Sequence, residues 1–126
     1  MTSYVTLRKL TEPTERDIDR TFGRMAELLR ESGESGRVHF RIVDAQERLS
    51  WSLELNREVC HARAEATEHP DLEVVTRRET WWQMAEGSLS PLDAIFQGKL
   101  AVRGDVELGK RLLKKLASSE GEVDIC

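Results

Sequence analysis

The stretch Gly87-Ser88-Leu89-Ser90-Pro91-Leu92-Asp93-Ala94-Ile95-Phe96-Gln97-Gly98-Lys99-Leu100-Ala101-Val102-Arg103-Gly104-Asp105 constrains the fold more than any other. Gly87 is placed to end one helix. Ser90 caps the next, with Pro91 at its first position and Asp93 three residues beyond the cap. That short helix stops at Gly98. Lys99 to Arg103 then reads as a brief strand of alternating character, and Gly104-Asp105 turns the chain into a last helix running to about Leu116. The local order is helix, short helix, strand, helix.

The last helix has two unmixed faces. At 100° per residue, Glu107, Lys110, Arg111, Lys114 and Lys115 fall within one arc of about 140°, opposite Val106, Leu108, Leu112, Leu113 and Leu116. Gly109 interrupts the apolar arc at a cost of roughly 1 kcal/mol in helix propensity. Either the helix packs closely on the sheet there, or the missing side chain leaves room for a bound chain.

Upstream the period is readable in blocks. Thr14 with Asp17 forms a capping box, after which Ile18, Phe22, Met25 and Leu29 recur at helical spacing up to Gly33. Val38, Phe40 and Ile42 then alternate with His39 and Arg41. Leu49, Trp51, Leu53 and Leu55 alternate with Ser50, Ser52, Glu54 and Asn56, so two half-buried antiparallel strands are expected. A third run carries only Cys60, Ala62, Ala64 and Ala66 in its inward phase. These small residues fit a helix lying close over the strand, and equally part of a cavity wall. His69-Pro70-Asp71 breaks that run and Leu72 to Thr76 supplies a fourth strand. Thr76 and Glu79 suggest a second capping box; on the helix that follows, Trp81 is expected to be buried and Trp82 to lie at a rim.

These blocks resemble the sterol carrier protein type-2 domain family. The resemblance rests on Gly87, Pro91, Ala94, Gly98-Lys99-Leu100, Val102 and Gly104-Asp105, with Phe40 to Asp44, Trp51 to Leu55 and His69-Pro70-Asp71-Leu72 in matching order, and covers about 14–116. It implies an α+β domain: a five-stranded, mainly antiparallel sheet covered on one face by helices, in the order α-β-β-β-β-α-α-β-α. It further implies an apolar cavity between sheet and helices that takes fatty acyl chains, acyl-CoA, sterols or similar lipids. The element order read from periodicity alone agrees with that architecture.

Facing nominates the lining. Phe40, Ile42, Trp51 and Leu53 come from the first strands, and Trp81, Met84 and Leu89 from the helix after the fourth strand and its exit. Ile95, Phe96, Leu100, Val102, Leu108, Leu112 and Leu113 come from the remaining segments. The same residues would also make an ordinary filled core.

Composition bounds the alternatives. The chain of 126 residues suits one domain, expected at 14–116 between an N-terminal extension, 1–13, and a flexible tail, 117–126. With 33% charged residues and a formal net charge of −4, nucleic acid is not an expected partner, and membrane contact is expected to be transient at most. The apolar runs are too short to span a bilayer, no signal-peptide pattern opens the chain, and Asp124-Ile125-Cys126 is not a Ser-Lys-Leu address; a cytoplasmic location is expected. Cys60 and Cys126 are read as free thiols.

Catalytic motifs are not found. Phosphate-binding glycine loops, the nucleophile elbow and Cys/His metal spacing are missing. His39 and His61 share the polar phase of their strands, where contacts to Glu54 or Glu65 are expected, and Cys60 and His61, adjacent in a strand, point to opposite faces. The expected role is non-catalytic carriage of a hydrophobic ligand, without metal or cofactor. The alternative is an accessory or interaction domain of a larger enzyme or biosynthetic assembly, with a filled core and a partner enzyme.

Overall fold

A computed structural model describes residues 14–44 and 47–125, with side chains described to Ala117 in the last helix. The extension expected over 1–13 lies outside the described residues. The elements are α1 (Glu15–Leu28), β1 (Ser35–Val43), β2 (Arg48–Asn56), β3 (Val59–Arg63), β4 (Leu72–Arg77), α2 (Arg78–Ala85), α3 (Pro91–Phe96), β5 (Leu100–Gly104) and α4 (Val106–Ile125). The element order is the expected one.

The capping box at the start of α1 forms: Asp17 N–H donates to Thr14 Oγ1 (3.2 Å) and Thr14 N–H donates to Asp17 Oδ2 (2.9 Å). The Thr14 N–H and the Thr14 hydroxyl, which donates to Asp17 Oδ2 at 3.0 Å, hold the Asp17 carboxyl below its ordinary pKa. Ser90 likewise caps α3, accepting from Asp93 N–H at 3.1 Å, with Pro91 in its first turn. The expected box at Thr76 does not form. Arg77 occupies the cap position without a side-chain bond, and Thr76 is a buried strand residue whose hydroxyl donates to the Lys99 carbonyl at 2.8 Å. Its phase in β4 turns it inward, away from the helix terminus.

The sheet runs β3-β2-β1-β4-β5. Its pairs are antiparallel except β1 with β4, which run parallel. Register aligns Phe40 with Trp51 and Val74, Val38 with Leu53 and Leu72, and Val74 with Val102, so one face is apolar across all five strands. α1 packs over β2 and β3, α2 touches β1 and β4, and α4 packs on β4 and α1.

The break at His69-Pro70-Asp71 is a structural junction. Asp71 exchanges two bonds with Arg37: its N–H donates to the Arg37 carbonyl (2.8 Å), and its Oδ2 accepts from the Arg37 N–H (2.8 Å). Its carbonyl accepts from Asp105 N–H at 2.7 Å. Gly104 adopts φ +102°, and a Cβ there would collide with the Asp71 carbonyl oxygen. Asp105 then caps α4, its Oδ1 accepting from Leu108 N–H at 3.1 Å. The backbone of α4 continues helical to Ile125, past the boundary expected at Leu116.

Candidate functional site

The apolar side chains divide into a buried core between sheet and helices and an exposed group on α3 and the start of α4. Over β1 and β2, Phe22 from α1 stacks on Trp51 (centroids 5.1 Å, planes 10° apart) and on Trp81 (4.6 Å, 10°), while Phe40 meets Phe22 and Trp81 edge-on at 5.0 and 5.4 Å. Both indoles satisfy their N–H groups at the edge of this cluster. Trp51 Nε1 donates to Asp19 Oδ1 at 2.9 Å, and Trp81 Nε1 to Thr21 Oγ1 at 2.7 Å. Of the nominated residues, Phe40, Ile42, Trp51, Leu53, Trp81, Leu100, Leu108 and Leu112 are buried here in one contiguous core. This cluster packs between the sheet and helices α1 and α2.

Small residues on β3 serve close packing by α1. Cys60 is buried and its thiol is free; burial raises its pKa from an ordinary 9.0 to about 11, so it is a neutral thiol at physiological pH and a poor nucleophile. Gly109 resolves the same way: a Cβ there would lie 3.1 Å from Leu72 Cδ2, so the missing side chain admits Leu72 and leaves no gap.

The segment around α3 is different. Met84, Leu89 and Val102 are only partly buried against the core, and Leu113 is half-buried. In α3 only Ala94 turns fully inward; Leu92, Ile95 and Phe96 are 61%, 43% and 84% exposed, and Val106 is 45% exposed. Ile95 and Phe96 thus lie outside the enclosed core, because a helix of six residues with one inward position has no face left to bury them. Four of the five large exposed hydrophobic residues among those described lie between Leu92 and Val106. Sequence periodicity missed this because so short a helix has no resolvable period.

The opposite sheet face is polar. His39, 5% exposed, bonds Glu73 Oε2 through Nδ1 (3.2 Å) and Ser50 Oγ through Nε2 (3.1 Å), in place of the Glu54 and Glu65 contacts expected. The parallel placement of β4 beside β1 brings Glu73 opposite His39. A cleft of about 350 Å³ is lined by Gly36, Arg37, Glu54, Leu55, Asn56, His69 and Asp71, mostly polar groups unsuited to an acyl chain. Among the described residues, no group of three or more His, Cys, Asp or Glu is placed to hold a metal ion, and no helix is long and apolar enough to cross a membrane.

Comparison with known proteins places this geometry. The solution structure of sterol carrier protein domain 2 of Helicoverpa armigera superimposes with a TM-score of 0.68 at 18% identity, covering 87% of this chain and 95% of that one. Palmitated SCP2L2 from Aedes aegypti gives a TM-score of 0.62 at 23% identity, covering 77% of this chain and 87% of that one. The sec-alkylsulfatase Pisa1 from Pseudomonas sp. gives 0.60 at 21% identity over 76% of this chain, but only 16% of the sulfatase is covered. No curated protein matches the chain. The model of the SCP-2 sterol transfer family matches residues 26–117, from inside α1 through β5 into α4, and the chain belongs to that family.

Proposed function

We propose that the protein binds and carries a hydrophobic ligand of the acyl-chain or sterol class, without catalysis, and that the ligand covers the exposed apolar side chains of α3 and the start of α4. One observation carries the reading: the concentration of exposed apolar side chains within 92–106, at Leu92, Ile95, Phe96 and Val106, in a stretch that also holds the partly buried Val102. Covering such a patch with an alkyl chain gains roughly 0.8 kcal/mol per buried methylene, which favours loose selectivity set by length and bulk. Family membership supports the ligand class. The buried, raised-pKa thiol of Cys60 supports a role without a cysteine nucleophile.

A second reading rests on the sulfatase, in which a domain of this fold is a minor part of a larger enzyme. On that reading the same patch meets a partner enzyme and takes no ligand. Native mass spectrometry of freshly purified protein, with extraction and identification of released lipid, separates the two. The carrier reading expects an adduct of lipid mass and uptake of a fluorescent fatty acid. Phe96→Asp should weaken that uptake about tenfold or more, since it sets a charge against the alkyl chain, and should leave the melting temperature nearly unchanged. A clean apo mass with no fatty-acid uptake would sink the carrier reading.

A further inference from the structure

The sheet face turned away from the helices is strongly basic. Alternation and register put Arg37, Arg41, Arg48, Arg63, Arg77 and Arg103 on it, with Glu54 and Glu73 as its carboxylates among the paired strand residues. The formal charge of this set is +4 on a chain of −4, so all other residues together carry −8. Arg48 and Arg77 flank Val43 in one cross-strand row. Arg63 and Arg103 end another row that runs through Ser52, His39 and Glu73, and Arg41 lies between the rows. The Glu73 carboxylate is already engaged, 3.2 Å from His39 Nδ1, 3.6 Å from Arg41 Nη2 and 3.9 Å from Arg103 Nη1. The guanidinium groups nonetheless stay accessible: Arg63, 3.8 Å from the solvated Glu65 carboxylate, and Arg103 have side chains 59% and 85% exposed, and Arg48 and Arg77 are exposed.

We propose that this face docks the protein on an anionic lipid bilayer. Five strands at their usual spacing spread the arginines over a surface about 19 Å wide. Guanidinium forks suit phosphate and carboxylate headgroups. No aromatic residue lies among these outward positions, so the face lacks the stacking platform of single-strand nucleic-acid binders and the aromatic anchors that dominate protein interfaces. Among the described residues it also projects no helix or ribbon that would enter a duplex groove. A plane of negative headgroups demands charge and little shape, and that is what this face provides. The positive excess of this face within a chain of negative net charge orients the domain with the face towards such a plane. The docking does not depend on the ligand reading, since it uses the opposite side of the sheet.

Sedimentation of the full chain with phosphatidylcholine vesicles, with and without phosphatidylserine, tests the proposal. Binding is expected only to the serine-containing vesicles, falling steeply as salt rises. Replacing Arg48, Arg63 and Arg77 together by Gln should weaken partitioning about a hundredfold, at about fivefold per arginine. The control, with Lys110, Lys114 and Lys115 of α4 changed to Gln, removes the same charge elsewhere and should bind within about twofold of the parent. Circular dichroism on both variants guards against unfolding. Failure to bind serine-containing vesicles, equal losses in the two triple variants, or retention on nucleic acid but not on vesicles would each overturn the proposal.

Discussion

The two faces of this sheet are made by the same strands, yet they solve opposite problems. Inward residues of β1 and β2 meet the aromatic Phe22 and Trp81 and are almost fully buried, whereas the positions between them hold arginines, serines and His39 in a polar layer. The inward side draws its stability from area and fit. The outward side draws little from its ion pairs, several of which are solvated, and is free to spend its charge on partners. A third zone, around α3, belongs to neither: it is apolar like the inner face and open like the outer one.

Substitutions along neighbouring positions should separate these regimes. Trp51→Ala removes a fully buried indole from a stacked cluster, and should cost about 3–5 kcal/mol in chemical denaturation; a loss below 1 kcal/mol would mean the core is not held by this stack. On the other face, His39→Ala breaks the bonds to Glu73 and Ser50. It should cost only about 1–2 kcal/mol by the same measurement, because Arg41 and Arg103 remain beside Glu73. An effect as large as that of Trp51→Ala would erase the contrast between faces.

The smallest expected effect concerns Cys60. Its folded pKa, about 11, lies above the ordinary 9.0, so its contribution to stability is complete below pH 9 and declines as pH rises from 9 towards 11, where only the unfolded thiol has lost its proton. Comparing the pH dependence of denaturation for the parent and Cys60→Ala should show that decline in the parent alone. Labelling of the native thiol by iodoacetamide at pH 7.5 should accordingly be far slower than in denaturant. Equal rates would place the thiol at the surface.

What the sequence made legible was local. The capping box at Thr14, the Ser90-Pro91 start of α3, the alternation of β1 and β2 and the burial of Trp81 all rest on neighbours within a few residues. Thr76 shows where locality misleads. A threonine three residues before a glutamate is a helix signal, but the same hydroxyl, one strand phase inward, found the carbonyl of Lys99, just before β5, instead. His39 fails for a related reason. Its partner comes from β4, which reaches β1 through a parallel pairing that no turn in the chain announces. The aromatic residues were nominated from facing. That they stack together, and that the apolar surface shifts to α3, depends on how helices seat on the sheet, which periodicity leaves undetermined.

The junction at Asp71 also has a kinetic meaning. The hairpins β1–β2 and β2–β3 close over short loops, but β1 and β4 join residues 34 positions apart, as His39 and Glu73 do. Closing that long interval costs chain entropy before any contact repays it. The two bonds between Arg37 and Asp71, one to the Arg37 carbonyl and one to the Asp71 carboxylate, with Asp105 hung on the Asp71 carbonyl, form the latch that ties the N-terminal meander to the C-terminal half. Folding of this domain should therefore be limited by the docking of two locally competent halves along one parallel seam.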